Sequence, residues 1–193
     1  RRLHGVDLSL RREASVADFT RHRDNVMAGE RQRIESRLAQ SGVQCHVGVA
    51  SFIDPHTILV TAADGSSTLL RGDTILIATG SAPFRPPEFP FEHRRVHDSN
   101  EILDIGSMPR VLAIVGAGVI GSEYASTFAA LGTEAHLIDG RETLLPFLDG
   151  EISRALAEAM ATLGVRMHLG DRVLGCDASH GEHVALKLAS GTT

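Results

Sequence analysis

The sequence has little cysteine, no long hydrophobic run and no excess of positive charge, and each shortage removes a class of protein. Only Cys45 and Cys176 occur among 193 residues, far apart, so there is no disulfide framework, no CxxC redox pair and no thiolate zinc site. That usage fits a reducing compartment, and a cytoplasmic location is expected. The longest apolar runs, such as Thr74 to Ala78 and Val111 to Val115, stop well short of the roughly 18 residues a membrane helix needs. A membrane partner is therefore not expected. The net charge is -5 and the pI is near 6.0. A dedicated nucleic-acid binder holds the phosphate backbone with clustered Lys and Arg, so that class is set aside too. An anionic ligand would need a local site. The start, Arg1-Arg2-Leu3-His4, offers neither an initiator Met nor an apolar signal region, and the strand-like Ala185 to Ala189 runs into a Ser190-Gly191 turn near the end. Both features lead to the expectation of a segment from a longer protein.

What is present is globular. Hydrophobic residues make up 42% and charged residues 22%, enough for one ordinary domain or two small ones. From Ser15 to Gln40 the composition is polar and helical, with Ser15 or Asp18 as caps and Gly42 as the stop,. Its apolar stripe is narrow and its arginines alternate with acids, which describes a solvated face. Strand patterns follow at Val43 to Ala50, Thr57 to Thr61, Leu69 to Leu70 and Thr74 to Ala78, separated by Asp54-Pro55 and Ala63-Asp64-Gly65-Ser66. This predicts an antiparallel β-meander. Four prolines between Gly80 and Pro90 then mark a stiff connector,.

Beyond Pro109 the pattern is β-α-β-α-β: strands at Val111 to Val115, Ala135 to Ile138 and Val165 to Leu169, helices at Val119 to Leu131 and Glu151 to Leu163, the latter capped by Asp149 and stopped by Gly164. Such alternation predicts an α/β fold with a parallel sheet and right-handed crossovers. Directly after the first of these strands stands Gly116-Ala117-Gly118-Val119-Ile120-Gly121. Gly116 permits a tight turn, Gly118 lets the backbone approach a pyrophosphate, and Gly121 lets the helix pack on the strand. The helix N-terminus then offers amides and positive dipole character to phosphates. Asp139 ends the second strand, about 20 residues on, where a carboxylate accepts hydrogen bonds from an adenosine ribose. Arg141, beyond Gly140, is suited to a 2′-phosphate or is a plain loop charge. The choice between NAD and NADP stays open on these residues. Glu123, early in the helix, either compensates the dipole or faces the nicotinamide end of a bound dinucleotide.

Four stretches together resemble the two-dinucleotide-domain flavoprotein disulfide reductases: FIDPHTI at 52–58, ILIATGSAP at 75–83, VGAGVIGSEYA at 115–125 and LLPFLDGEI at 144–152. The SEYA and FIDPHT wording is similar to the transhydrogenase branch of that family. The resemblance implies a Rossmann-like three-layer FAD/NAD(P)-binding fold, with a partial FAD domain over residues 1–105 and a C-terminally incomplete NAD(P) domain over 106–193. It implies that Val49 and Ala50 contact the FAD adenine through their backbone and that Thr79 and Gly80 line the FAD, although Thr79-Gly80 taken alone is a strand-ending turn. It also implies that Gly116, Gly118, Val119, Ile120, Gly121, Glu123, Asp139 and Arg141 bind the nicotinamide dinucleotide. The expected activity of the whole protein is hydride transfer between NADPH and NAD through FAD, in a homo-oligomer. The alternatives are a dihydrolipoamide dehydrogenase-type disulfide oxidoreductase and a non-catalytic NAD(H)-binding module.

The chain departs from that family pattern in lacking a first glycine fingerprint, a CxxxxC pair and a catalytic-His dimerisation domain. No catalytic residue is assigned to these 193 residues, which alone are not expected to turn over. No metal site is assigned either, since His180 and His183 form an HxxH without further ligands. Cys45 and Cys176 are expected to be small buried hydrophobes.

Overall fold

The computed structural model describes residues 2–3, 6–7, 16–179, 181 and 183–191. They group into two compact units, His22–Ala82 and Pro83–Thr193, the latter taken together with the residues up to Arg21. The division falls inside the proline-rich connector.

Two two-residue strands, β1 (Arg2–Leu3) and β2 (Val6–Asp7), pair antiparallel at the start. Helix α1 spans Val16–Gln40. Its expected cap Ser15 lies outside the described residues, and Asp18 sits within the helix rather than capping it. The helix stops where Gly42 takes φ 68°, with the amides of Gly42 and Val43 turned back onto the carbonyls of Ala39 and Leu38. That reversal needs left-handed backbone.

In the first unit β3 (Val49–Asp54), β4 (Thr57–Thr61) and β5 (Ser67–Arg71) form the expected antiparallel meander. Two strand predictions are corrected. Val43 to Gly48 is not strand, because the turn at Asp54 sets a register in which Val49 already opposes Thr61, the last residue of β4. Earlier residues have no ladder partner. A Cβ on Gly48 would stand 2.5 Å from the Thr61 carbonyl oxygen, so a glycine takes the close approach. Cys45, on this irregular stretch, is exposed, and not the buried hydrophobe expected. Thr74 to Ala78 is not strand either. The Gly72 amide bonds back to His56 at 2.9 Å and the chain leaves the sheet, so Leu76 and Ile77 stand 87% and 68% exposed.

In the second unit β6 (Val111–Val115), β7 (Glu134–Asp139) and β8 (Arg166–Leu169) make a parallel sheet in the order β6-β7-β8. Helices α2 (Val119–Ala130) and α3 (Gly150–Thr162) supply the crossovers. Asp149 caps α3 as expected, accepting the Glu151 amide at 2.8 Å. One sheet face, through Ala135 and Leu137, packs with Ala117, Ala125, Leu144, Met160 and Val165 into the core. The other face carries Glu134, His136 and His168. Parallel register pairs His136 with Arg166, and His168, two residues further along the same face, meets His136 diagonally with Nδ1 and Nε2 3.0 Å apart, while Glu134 accepts from the far side of His136 at 3.3 Å. An antiparallel hairpin, β9 (Val173–Asp177) with β10 (Ala185–Leu188), completes the unit. Cys176 on β9 is half-buried, not buried as expected.

The segment between connector and β6 is held by a clamp. The Arg85 guanidinium donates to Asp98 at 2.6 Å and to Glu101 at 2.5 Å, and lies 5.1 Å from the centre of the Phe91 ring. Asp98 in turn accepts the amides of Asn100 and Glu101, at 2.8 and 2.9 Å, and so caps the 3-10 turn Glu101–Asp104. Tyr124 on α2 ties this segment to the sheet body by donating its hydroxyl to the Ser99 carbonyl at 2.7 Å.

Candidate dinucleotide site

The site lies at the C-terminal end of β6 and β7. The Gly116 amide donates to the Ile138 carbonyl at 2.8 Å, one strand across, and Gly116 takes φ 108°. This is the turn that lets the chain leave β6 and enter α2 within three residues. Gly118 is the N-cap of α2 and provides no side-chain cap, so the first-turn amides are left to other acceptors. A Cβ on Gly118 would meet nothing within 4 Å, whereas one on Gly121 would lie 1.9 Å from the Gly116 carbonyl oxygen. The two glycines thus serve different needs. Gly121 makes the helix-to-turn packing possible, and Gly118 leaves a clear approach to the backbone. Val119 and Ile120, 50% and 57% exposed, flank that approach.

Asp139 ends β7 opposite this turn. One carboxylate oxygen accepts the Ala117 amide, from inside the glycine turn, at 2.7 Å. The other accepts the Arg141 amide at 2.8 Å and its Nε at 2.9 Å, while Arg141 Nη2 reaches the first oxygen at 2.5 Å. The Arg141 side chain above all, then the two backbone amides, pull the Asp139 carboxyl down to about 2 against the opposing effect of its burial. Asp139 is therefore ionised at neutral pH and satisfied by four donors.

The structure brings Gly116, Gly118, Val119, Ile120, Gly121, Asp139 and Arg141 together at one sheet end. Glu123 is one helical turn further on, exposed, beside the groove between α2 and α3 lined by Val119, Ser122, Ser126, Leu145 and Met160. The residues tied to FAD lie in the other unit. Val49 and Ala50 are exposed on β3, an edge strand with one side of its backbone outside the ladder. Thr79 and Gly80 lie in irregular exposed chain, Gly80 at φ 74° with open space beside it. Of the HxxH, His180 lies outside the described residues, and among those described no group of three or more His, Cys, Asp or Glu could hold a metal.

The sequence reading missed the Ala117 amide, which ties Asp139 to the glycine turn, because a backbone donor leaves no trace in residue type. It also missed the Asp98 cap, although Asp98-Ser99-Asn100-Glu101 has capping-box spacing.

Comparison with known proteins places the chain among relatives. Over 192 residues the chain is 40% identical to the soluble pyridine nucleotide transhydrogenase of Mycobacterium bovis, covering 99% of this chain and 41% of the relative. It thus spans about two fifths of that relative's length. It superposes on LpdA from Mycobacterium tuberculosis with a TM-score of 0.79 and 26% identity, over 93% of this chain and 40% of that one. On the HOCl-induced flavoprotein disulfide reductase RclA from Escherichia coli the values are 0.74 and 27%, over 86% and 38%. A family model for pyridine nucleotide-disulphide oxidoreductases matches residues 6–193, and the chain belongs to that family.

Proposed function

We propose that residues 106–193 bind a nicotinamide dinucleotide, with its pyrophosphate on the uncapped N-terminus of α2 and its adenosine ribose at Asp139. In this reading the chain is part of a cytoplasmic, homo-oligomeric flavoenzyme that moves hydride between NADPH and NAD. The observation that carries it is the Asp139 carboxylate held 2.7 Å from the Ala117 amide. In this reading the ribose acceptor and the phosphate cradle stand side by side, as a dinucleotide requires. The chain's own contribution is to bind and orient. Gly116 and Gly118 open the backbone, the first-turn amides of α2 receive phosphate charge, and Glu123 faces the region beyond the pyrophosphate.

Residues 1–105 are proposed to contribute to an FAD site. The edge position of β3 leaves Val49 and Ala50 with backbone groups available to an adenine, and the open left-handed turn at Gly80 lets a ligand pass close to Thr79. FAD, when bound, would supply the hydride relay. The name of the Mycobacterium bovis relative favours the transhydrogenase over the disulfide oxidoreductase reading. The test uses the full-length protein: a flavin absorbance spectrum, then hydride transfer from NADPH to thio-NAD with no disulfide added. Rapid transfer insensitive to thiol alkylation is expected. Slow transfer with turnover of lipoamide would replace it by the disulfide oxidoreductase, and a flavin-free protein would leave only a nucleotide-binding module.

A further inference from the structure

Arg141 is not the only guanidinium at the ribose end of this site. The loop after β8 returns beside the end of β7: the Asp171 amide donates to the Asp139 carbonyl at 3.1 Å, and the Gly170 amide to the Arg141 carbonyl at 2.9 Å. That return carries Arg172 across Gly140, where a Cβ built on the glycine would lie 3.5 Å from both Cβ and Nε of Arg172. Gly140, with no side chain, therefore has one arginine following it in sequence and a second arriving from the neighbouring strand. The two differ in engagement. Arg141 is clamped on Asp139 and is half exposed, while Asp139 itself is only 9% exposed; among the described residues no ion pair engages the exposed Arg172. The nearby carboxylate of Asp171 is occupied by the Ser190 amide and hydroxyl, at 3.1 and 2.7 Å. Glu142, whose Cγ packs near Gly170, is the remaining acid of the loop.

The acceptor count at Asp139 is decisive. A carboxylate has about four lone-pair sites, and Ala117 with Arg141 fills four. A ribose 2′-hydroxyl reaches Asp139 only by displacing a donor, and the half-exposed Arg141 side chain is the one that can leave. A 2′-phosphate instead attracts that same guanidinium, and across Gly140 it meets Arg172 as well.

We propose that Asp139, Arg141 and Arg172 form a two-setting reader of the coenzyme 2′-position, with Arg172 as the second phosphate-binding arginine. With a 2′-hydroxyl, Arg141 turns outward and Asp139 accepts from the ribose. With a 2′-phosphate, Arg141 and Arg172 hold the phosphate between them over Gly140. This gives one site a use for both coenzymes, and it rests on the dinucleotide reading above.

The test is binding, on the full-length protein, of 5′-AMP and 2′,5′-ADP (adenosine 2′,5′-bisphosphate), fragments that differ only in the 2′-phosphate, by titration calorimetry. Arg172→Ala is expected to weaken 2′,5′-ADP about tenfold, the scale of a charge-assisted hydrogen bond, and to leave 5′-AMP unchanged. Arg141→Ala is expected to weaken 2′,5′-ADP similarly while leaving 5′-AMP as tight or tighter. Arg172→Lys, which keeps the charge without the fork, should recover part of the loss. An unchanged 2′,5′-ADP affinity in Arg172→Ala, or an equal loss for both fragments, overturns the reader. If the unmutated protein binds neither fragment, it is the dinucleotide reading that fails.

Discussion

The β6–β8 unit and the β3–β5 unit are written in much the same apolar vocabulary, yet only one of them has an interior. In the first, Ala135 and Leu137 on β7 have no exposed surface, and Ala125 and Met160 pack with them from the helices. In the second, all six residues of β3 are exposed, with Val49 at 76% and Ile53 at 60%. The difference is a covering layer. Two crossover helices lie on one face of the parallel sheet, because parallel strands cannot be joined without them. An antiparallel meander needs only tight turns and brings no layer of its own. Strand pattern and burial are thus separate properties, and among the described residues only the parallel unit has both.

The contrast can be broken most directly by cutting into each unit. Leu137→Ala, in the closed core, is expected to destabilise the β6–β8 unit by roughly 2–5 kcal/mol, as large-to-small core changes do. Denaturant unfolding with native-state hydrogen exchange should show the loss concentrated in β6, β7 and α2. A loss shared evenly with β3–β5 would mean that the two units unfold together.

Gly121→Ala tests the join between core and site. Its Cβ would fall 1.9 Å from a backbone oxygen, so the turn or the helix must shift. A stability loss of roughly 1–3 kcal/mol, as for overpacking, is expected, along with at least tenfold weaker binding of 5′-ADP.

Asp139 gives a smaller effect with a definite pH signature. Its carboxyl is lowered from 3.8 to about 2 in the folded chain. The stabilisation is therefore present above about pH 4 and is lost as the pH falls through 3 towards 2. Screening of the half-exposed Arg141 holds it to on the order of 1 to 2 kcal/mol. Asp139→Asn should lack this acid-dependent share, so that the stability difference between variant and parent narrows on going from pH 6 to pH 2.5. A constant difference would place the role of Asp139 outside its ionisation.

The smallest effect is expected in the open unit. Phe52→Ala, at a side chain 52% exposed, should change stability by no more than about 0.5 kcal/mol, the range of ordinary surface substitutions. A larger change would show that β3 is covered in solution by a layer these residues do not supply.

How much was legible follows the range of the interactions. The glycine turn, α2, α3 with its Asp149 cap and the position of Asp139 were all readable, because each depends on residues a few places apart. The strand expected at Thr74 to Ala78 was not, since its apolar β-branched composition is real but a ladder needs a partner, and the turn-off at Gly72 leaves none among the described residues. The start of β3 failed for a related reason, the hairpin register having been decided by the turn at Asp54 and the length of β4.

The sequence alone determined the element types and order of the Rossmann-like unit and the glycine turn that opens α2, because backbone preference and capping act locally. Only the tertiary structure decided that Asp139 is saturated by Arg141 and Ala117, that Arg172 arrives over Gly140, that Arg85 clamps Asp98 and that His136 meets His168. Apart from the local Asp139–Arg141 contact, those pairings join residues distant in the chain, and what brings them together is strand packing and loop return rather than anything written in the neighbouring residues.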